Sequence, residues 1–201
     1  TSARLIMGLL ASHNVTATLT GDESLRNRPM KRVIDPLRNI GAEIYSRSGD
    51  KLPLTILGTG SALPGDEKLQ IPSAQVKSAI LLAGLNATGI TTLIEPIPSR
   101  DHTEKMLKYF DVKLDIKNRA DGSRKITLLG QPEMIGRDIL IPGDISSAAY
   151  PIVAAIITPG SEIRVNNVGI AENKLVCEQA NAIPARVISV PSAVSELTMT
   201  T

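Results

Sequence analysis

The chain has 201 residues, 42% of them apolar and 21% charged, with a formal net charge of +2. That length carries one domain with a real core or two small ones, and the composition excludes a disordered chain. The near-balanced charge and the four aromatics, Tyr45, Tyr109, Phe110 and Tyr150, argue against nucleic acid as a partner, which calls for a basic groove with stacking rings.

One cysteine, Cys177, allows no internal disulfide and fits a reducing, cytoplasmic compartment. His13 and His102 lack Cys or His companions at metal spacing, so no metal site is expected. No apolar run reaches the length of a membrane span, and no signal-peptide pattern is read.

Residues 1–12 read as a helix with no strand before it. Residues 15–19 form a β-rich run, and 22–27 a polar loop that delivers Arg28. Pro29 suits a first helical position, the helix runs to about Ile40, and Gly41 suits its C′ site. Residues 42–47 and 54–57 pair as a hairpin around Ser48-Gly49-Asp50. Residues 59–65 read as a linker; they lack the Lys-Ser/Thr ending of a P-loop and receive no nucleotide role.

Residues 68–71 read as a strand and 72–85 as a helix, with Ser73 as N-cap and Gln75 in the first turn. Ile80, Leu81 and Leu85 continue its apolar face, and Gly84 or Asn86 ends it. Next come a strand at 90–94, a basic helix start at Arg100-Asp101-His102-Thr103, a helix at 104–110 and a hairpin turn at Asp121-Gly122-Ser123. Residues 138–141 read as a strand, Asp144 as the cap of a helix at 146–155, and 162–165 as a strand. Residues 171–180 form a weak helix, and residues 181–201 have no assigned structure. Cys177 is incidental, since a nucleophile needs a base beside it and the sequence names none.

These elements repeat with a period of about 72 residues, the size of a small βαβαββ unit. Ser2-Ala3, Ser73-Ala74 and Ser146-Ser147-Ala148 open three similar helices, and Arg28 and Arg100 recur at equivalent places. Each helix start taken alone is an ordinary cap. Turned toward one crevice, several starts and arginines suit a multiply charged anion, typically phosphate. Lys31, Lys77 and Lys105, past the helix starts, read as solvated surface charges.

The strings Thr1-Ser2-Ala3-Arg4, Asn27-Arg28-Pro29-Met30, Pro72-Ser73-Ala74-Gln75-Val76-Lys77-Ser78, Ser99-Arg100-Asp101-His102-Thr103-Glu104 and Pro142-Gly143-Asp144-Ile145-Ser146-Ser147 resemble the 5-enolpyruvylshikimate-3-phosphate synthase family, in the wording of its second bacterial class. The resemblance covers about residues 1–170 and implies an α/β fold of two inside-out barrel lobes, each made of three βαβαββ units. Residues 1–141 would be most of the first lobe, 142–170 the start of the second, and 171–201 a tail that does not match. By the same resemblance Ser73, Ala74, Gln75 and Arg100 bind shikimate 3-phosphate, and Thr1, Arg28 and Gln75 bind phosphoenolpyruvate. Arg4 matches an arginine of the family; a site role and a structural role at the helix start carry equal weight.

The implied reaction moves the enolpyruvyl group to the 5-hydroxyl of shikimate 3-phosphate and releases phosphate, with no cofactor and no metal. It is the step of aromatic amino acid biosynthesis that glyphosate inhibits, and full-length members are expected to be monomers. The family's Lys-Ser-x-x-x-Arg segment and its second-lobe Asp and Lys-Glu pair have no match here, so the catalytic acid and base are unknown. Asp144 is no substitute, because it matches the Gly-Asp start of the second lobe. The expectation is a piece of a larger enzyme without turnover of its own. The alternatives are a non-catalytic phosphate-ligand module or an inert fragment. A related UDP-sugar transferase is a lesser rival, since its Gly-Cys loop has no match.

Overall fold

Two similar runs of elements fill residues 1–137, the short helix Glu23–Arg26 belonging only to the first and a leading strand only to the second. The first holds α1 (Ser2–Ser12), β1 (Thr16–Leu19), α2 (Glu23–Arg26), α3 (Lys31–Asn39), β2 (Glu43–Arg47) and β3 (Lys51–Leu57). The second holds β4 (Gly65–Lys68), α4 (Ala74–Gly84), β5 (Ile90–Glu95), α5 (His102–Tyr109), β6 (Leu114–Asn118) and β7 (Arg124–Leu129). The computed structural model describes residues 1–141, 143–158, 160–168 and 186–191, and falls into two compact units, 1–137 and 138–201.

Strands β1, β3 and β2 form an antiparallel sheet in that order. Strands β4, β5, β7 and β6 form the second sheet, with β4 parallel to β5 and the other pairs antiparallel. The alternation in β3 sends Leu52, Leu54 and Ile56 inward, as the two-residue period of a one-sided strand requires. One continuous core joins both runs, with Met7, Ile34, Leu54, Leu81, Leu93 and Ile126 among its buried members.

The repeat extends to individual hydrogen bonds. Gly58 N–H donates to Val15 O at 3.0 Å and Thr59 N–H to Ala11 O at 3.0 Å; Gly130 N–H donates to Gly89 O at 3.0 Å and Gln131 N–H to Leu85 O at 2.8 Å. A Cβ on Gly58 would overlap the carbonyls of Leu10 and His13, and one on Gly130 those of Gly84 and Ala87. Each of the two runs therefore closes on a glycine pressed against the C-terminal end of its first helix, α1 or α4, where only a bare Cα fits. After α3 and α5 the chain turns through positive φ, at Gly41 (102°) and at Asp111 (64°).

Four expectations are corrected. The loop expected at 22–27 contains α2, because Asp22 caps it by accepting Leu25 N–H at 2.7 Å. Pro29 is not the first helical residue: Met30 is the N-cap of α3, and its N–H is taken by Asp50 O at 2.8 Å. The strand expected at 68–71 lies at Gly65–Lys68, where the ladder with β5 runs; one further bond joins Leu69 N–H to Ile94 O at 2.9 Å. Residues 138–141 form no strand, because nothing among the described residues pairs with them, and Ile139, Leu140 and Ile141 are exposed.

In the second unit α6 (Ile145–Ile156) precedes β8 (Glu162–Val168), which pairs in parallel with β9 (Arg186–Pro191). Ile152 is buried among Ala148, Ile156, Ile163 and Val165. Asp144, just before α6, accepts the Ser147 hydroxyl at 2.7 Å. The helix expected at 171–180, with Cys177, lies outside the described residues. No helix among the described residues is long and apolar enough to cross a membrane.

Candidate functional site

Helices α1 and α4 occupy equivalent places in the two runs and pack directly on each other. Gly8 is the reason they approach so closely, since a Cβ there would overlap the backbone of Ala79. Contacts follow the same order along both helices: Arg4 with Gln75, Gly8 with Ala79, and Ser12 with Asn86. The helices are therefore parallel, and both start at the same end. Parallel macrodipoles repel each other weakly and gather positive potential where the starts meet.

The starts are also joined by side chains. Arg4 donates to Gln75 Oε1 at 2.5 Å and to Pro29 O at 3.1 Å. Gln75 donates through Nε2 to Thr1 Oγ1 at 3.0 Å. Ser73 caps α4, its Oγ accepting Val76 N–H at 3.4 Å. A cleft of about 210 Å³ opens here, lined by Arg4, Pro29, Arg32, Ser73 and Val76.

Three guanidiniums share this end. Burial, and after it the like charges of Arg28 and Arg32, lower the pKa of Arg4 from its usual value. Arg28 and Arg32 are exposed, and neither makes an ion pair or a side-chain hydrogen bond among the described residues. The result is a cationic cleft with open N–H groups, suited to a phosphate or carboxylate ligand. A larger hollow of about 470 Å³ over Lys108, Asp111, Val112, Lys113 and Leu114 is an open surface depression.

Of the residues singled out from sequence, the structure brings Thr1, Gln75 and Ser73 to one place with Arg4, and Arg28 within electrostatic reach of Arg4. Ala74 begins α4. Arg100 is exposed and arrives separately, on the turn after β5. That turn is tied to α4 through Lys77, which donates to Ser99 O at 3.4 Å.

Lys77 corrects the reading of a solvated charge. Its side chain is fully buried and pairs with Glu95 at 3.2 Å and Glu104 at 2.7 Å. Lys31 and Lys105 are exposed, each paired with an acid one helical turn away, at 3.1 Å to Asp35 and 3.0 Å to Asp101. The available signal was the surroundings of Lys77: α4 is apolar on nearly every side, and such a helix is buried all round. Arg32 was also missed; it lies on the first turn of α3 and lines the cleft with Arg4.

A family model described as EPSP synthase (3-phosphoshikimate 1-carboxyvinyltransferase) matches residues 1–198. The 3-phosphoshikimate 1-carboxyvinyltransferase of Novosphingobium aromaticivorans is 54% identical over 170 residues, which are 85% of this chain and 38% of that protein. Its counterpart in Rhodospirillum rubrum is 51% identical over 175 residues, 87% of this chain and 39% of that protein. A solved EPSP synthase from Acinetobacter baumannii superposes with a TM-score of 0.69 at 40% identity, covering 89% of this chain and 40% of the solved one. The chain thus spans about two fifths of the length of the relatives it matches.

Proposed function

The chain belongs to the EPSP synthase family, and from that premise we propose that residues 1–137 supply part of the substrate site of a 3-phosphoshikimate 1-carboxyvinyltransferase. The reaction is transfer of the enolpyruvyl group of phosphoenolpyruvate to the 5-hydroxyl of shikimate 3-phosphate, with release of phosphate. Residues 1–141 correspond to most of one lobe of the whole enzyme, 142–170 to the start of the other. The whole enzyme works as a cytoplasmic monomer and takes the two phosphorylated substrates as its partners.

In this reading Ser73, Ala74, Gln75 and Arg100 hold shikimate 3-phosphate. Thr1, Arg28 and Gln75 hold phosphoenolpyruvate. Each substrate carries a phosphate, and arginine matches phosphate oxygens with a planar fork. Gln75 serves both ligands because its amide already spans Arg4 on one side and Thr1 on the other. The chain's own residues bind and orient; the contribution is proximity and charge stabilisation. No residue among 1–168 is assigned as the acid or base.

The observation that carries the reading is the cationic cleft where α1 and α4 start together, closed by the Arg4–Gln75–Thr1 chain of hydrogen bonds. Thermal unfolding with and without shikimate 3-phosphate tests it. At about one hundred times its dissociation constant a ligand adds about 2.7 kcal/mol of stability, an easily measured rise in midpoint. The rise is expected for the native chain and is expected to be much smaller in Arg100→Ala. A midpoint that the ligand does not move refutes the assignment. An equal rise with inorganic phosphate alone points instead to a general anion site.

A further inference from the structure

Lys77 lies one turn past Ser73 on α4 with its side chain wholly buried. Its Nζ meets Glu95 Oε2 at 3.2 Å and Glu104 Oε1 at 2.7 Å, and donates to Ser99 O at 3.4 Å. Glu95 uses its other oxygen, Oε1, to accept the Ser99 N–H at 3.3 Å and the Ser99 hydroxyl at 2.5 Å. Beside them Ser78 and Thr103 join hydroxyls at 2.6 Å. The network therefore connects α4, the end of β5, the turn after it and the first turn of α5.

Burying three charges is costly, and well-packed apolar residues often replace such groups with no loss of stability. Stability alone therefore gives no reason for this network. What it does that apolar packing cannot is hold Ser99 from both sides. The lysine takes the serine's carbonyl, and a carboxylate held by that lysine takes its N–H and hydroxyl. Arg100 is the next residue. Lys77 belongs to the helix whose start carries Ser73, Ala74 and Gln75, so one rigid element governs both.

We propose that Lys77 and Glu95 are positioning residues for Arg100, fixing the turn that presents its guanidinium to the anion held at the start of α4. The ligand part of this proposal rests on the proposed role of Arg100 in holding shikimate 3-phosphate. The turn from β5 to α5 carries Pro96 and Pro98 but has no sheet ladder of its own, so its conformation is set by these side-chain bonds.

The test uses the whole chain with two readouts, shikimate 3-phosphate affinity by calorimetry and amide exchange at Ser99. Wild type, Lys77→Met, Arg100→Ala and the double variant are compared. Lys77→Met is expected to weaken binding by about tenfold or more, the scale of one charge-assisted hydrogen bond. It is expected to speed exchange at Ser99 by a similar factor through local opening, at a rate independent of urea, while the core amides of β7 report only the drop in global stability. In the Arg100→Ala background Lys77→Met is expected to cost no further affinity. Equal losses in both backgrounds overturn the proposal, as does a Ser99 amide equally protected with and without Lys77.

Glu95→Gln keeps the side-chain shape and leaves the Lys77–Glu104 pair in place, so it stands in if Lys77→Met fails to fold. It is expected to give the same Arg100-dependent loss, and native affinity in Glu95→Gln overturns the proposal. If the native chain binds no shikimate 3-phosphate, the ligand assignment of Arg100 falls. Exchange at Ser99 then decides alone whether Lys77 and Glu95 hold the turn.

Discussion

Arg4 spends its donors inside the protein, on Gln75 and Pro29, while Arg28 and Arg32 keep theirs open. The division matters at the scale of single residues, because a half-buried arginine with fixed partners is a template and an exposed one is a ligand hand. The same distinction separates the lysines. Lys77→Met leaves Glu95 and Glu104 buried without their cation and is expected to cost about 3–5 kcal/mol in urea unfolding. Lys31→Ala and Lys105→Ala are expected to stay within about 0.5 kcal/mol, as exposed helical pairs contribute little. Residue type made Arg4, Arg28, Arg100 and the Ser73 cap legible in the sequence. For Lys77 the apolar surroundings on α4 signalled burial, but its partners were not legible, because Glu95 and Glu104 are distant in the chain and meet it only in the folded state.

At the scale of elements, the parallel pair α1 and α4 decides where the cationic cleft forms. Gly8 sets their separation, so Gly8→Ala is expected to destabilise by about 1–3 kcal/mol through overpacking and to part Arg4 from Gln75. Urea unfolding gives the first effect, and loss of the ligand-induced rise in midpoint gives the second. Gly65→Ala, with no atom within 4 Å of the added Cβ, is the control and is expected to stay within about 0.5 kcal/mol. The helices and hairpins were legible because their periods and turn residues are local. Gly49 (φ 79°) and Gly122 (φ 80°) stand where the sequence put the turns. The strand expected at 138–141 failed for a non-local reason: an apolar run becomes a strand only beside a partner, and among the described residues it has none.

At the scale of the whole molecule, residues 1–137 hold one core shared by both runs, with Asn86 donating to Ser12 O at 2.5 Å and to Gly60 O at 3.1 Å between them. Expressed alone, residues 1–137 are expected to unfold in a single step, with coincident transitions by far-UV circular dichroism and tyrosine fluorescence. Two separated transitions would show that the runs fold independently. The repeat was legible in the sequence down to its period. Its depth was not, because Gly58 and Gly130 meet backbone carbonyls, which carry no signature in residue type. Those two contacts also govern how the chain tolerates change. The carbonyl side of the contact survives most substitutions at Leu10 and His13, while the glycine side survives almost none. A saturation survey of variants should therefore show two narrow columns of intolerance about 72 positions apart, the first opposite the exposed His13, which accepts many residues, and the second opposite the close-packed Gly84 and the buried Ala87, which accept few.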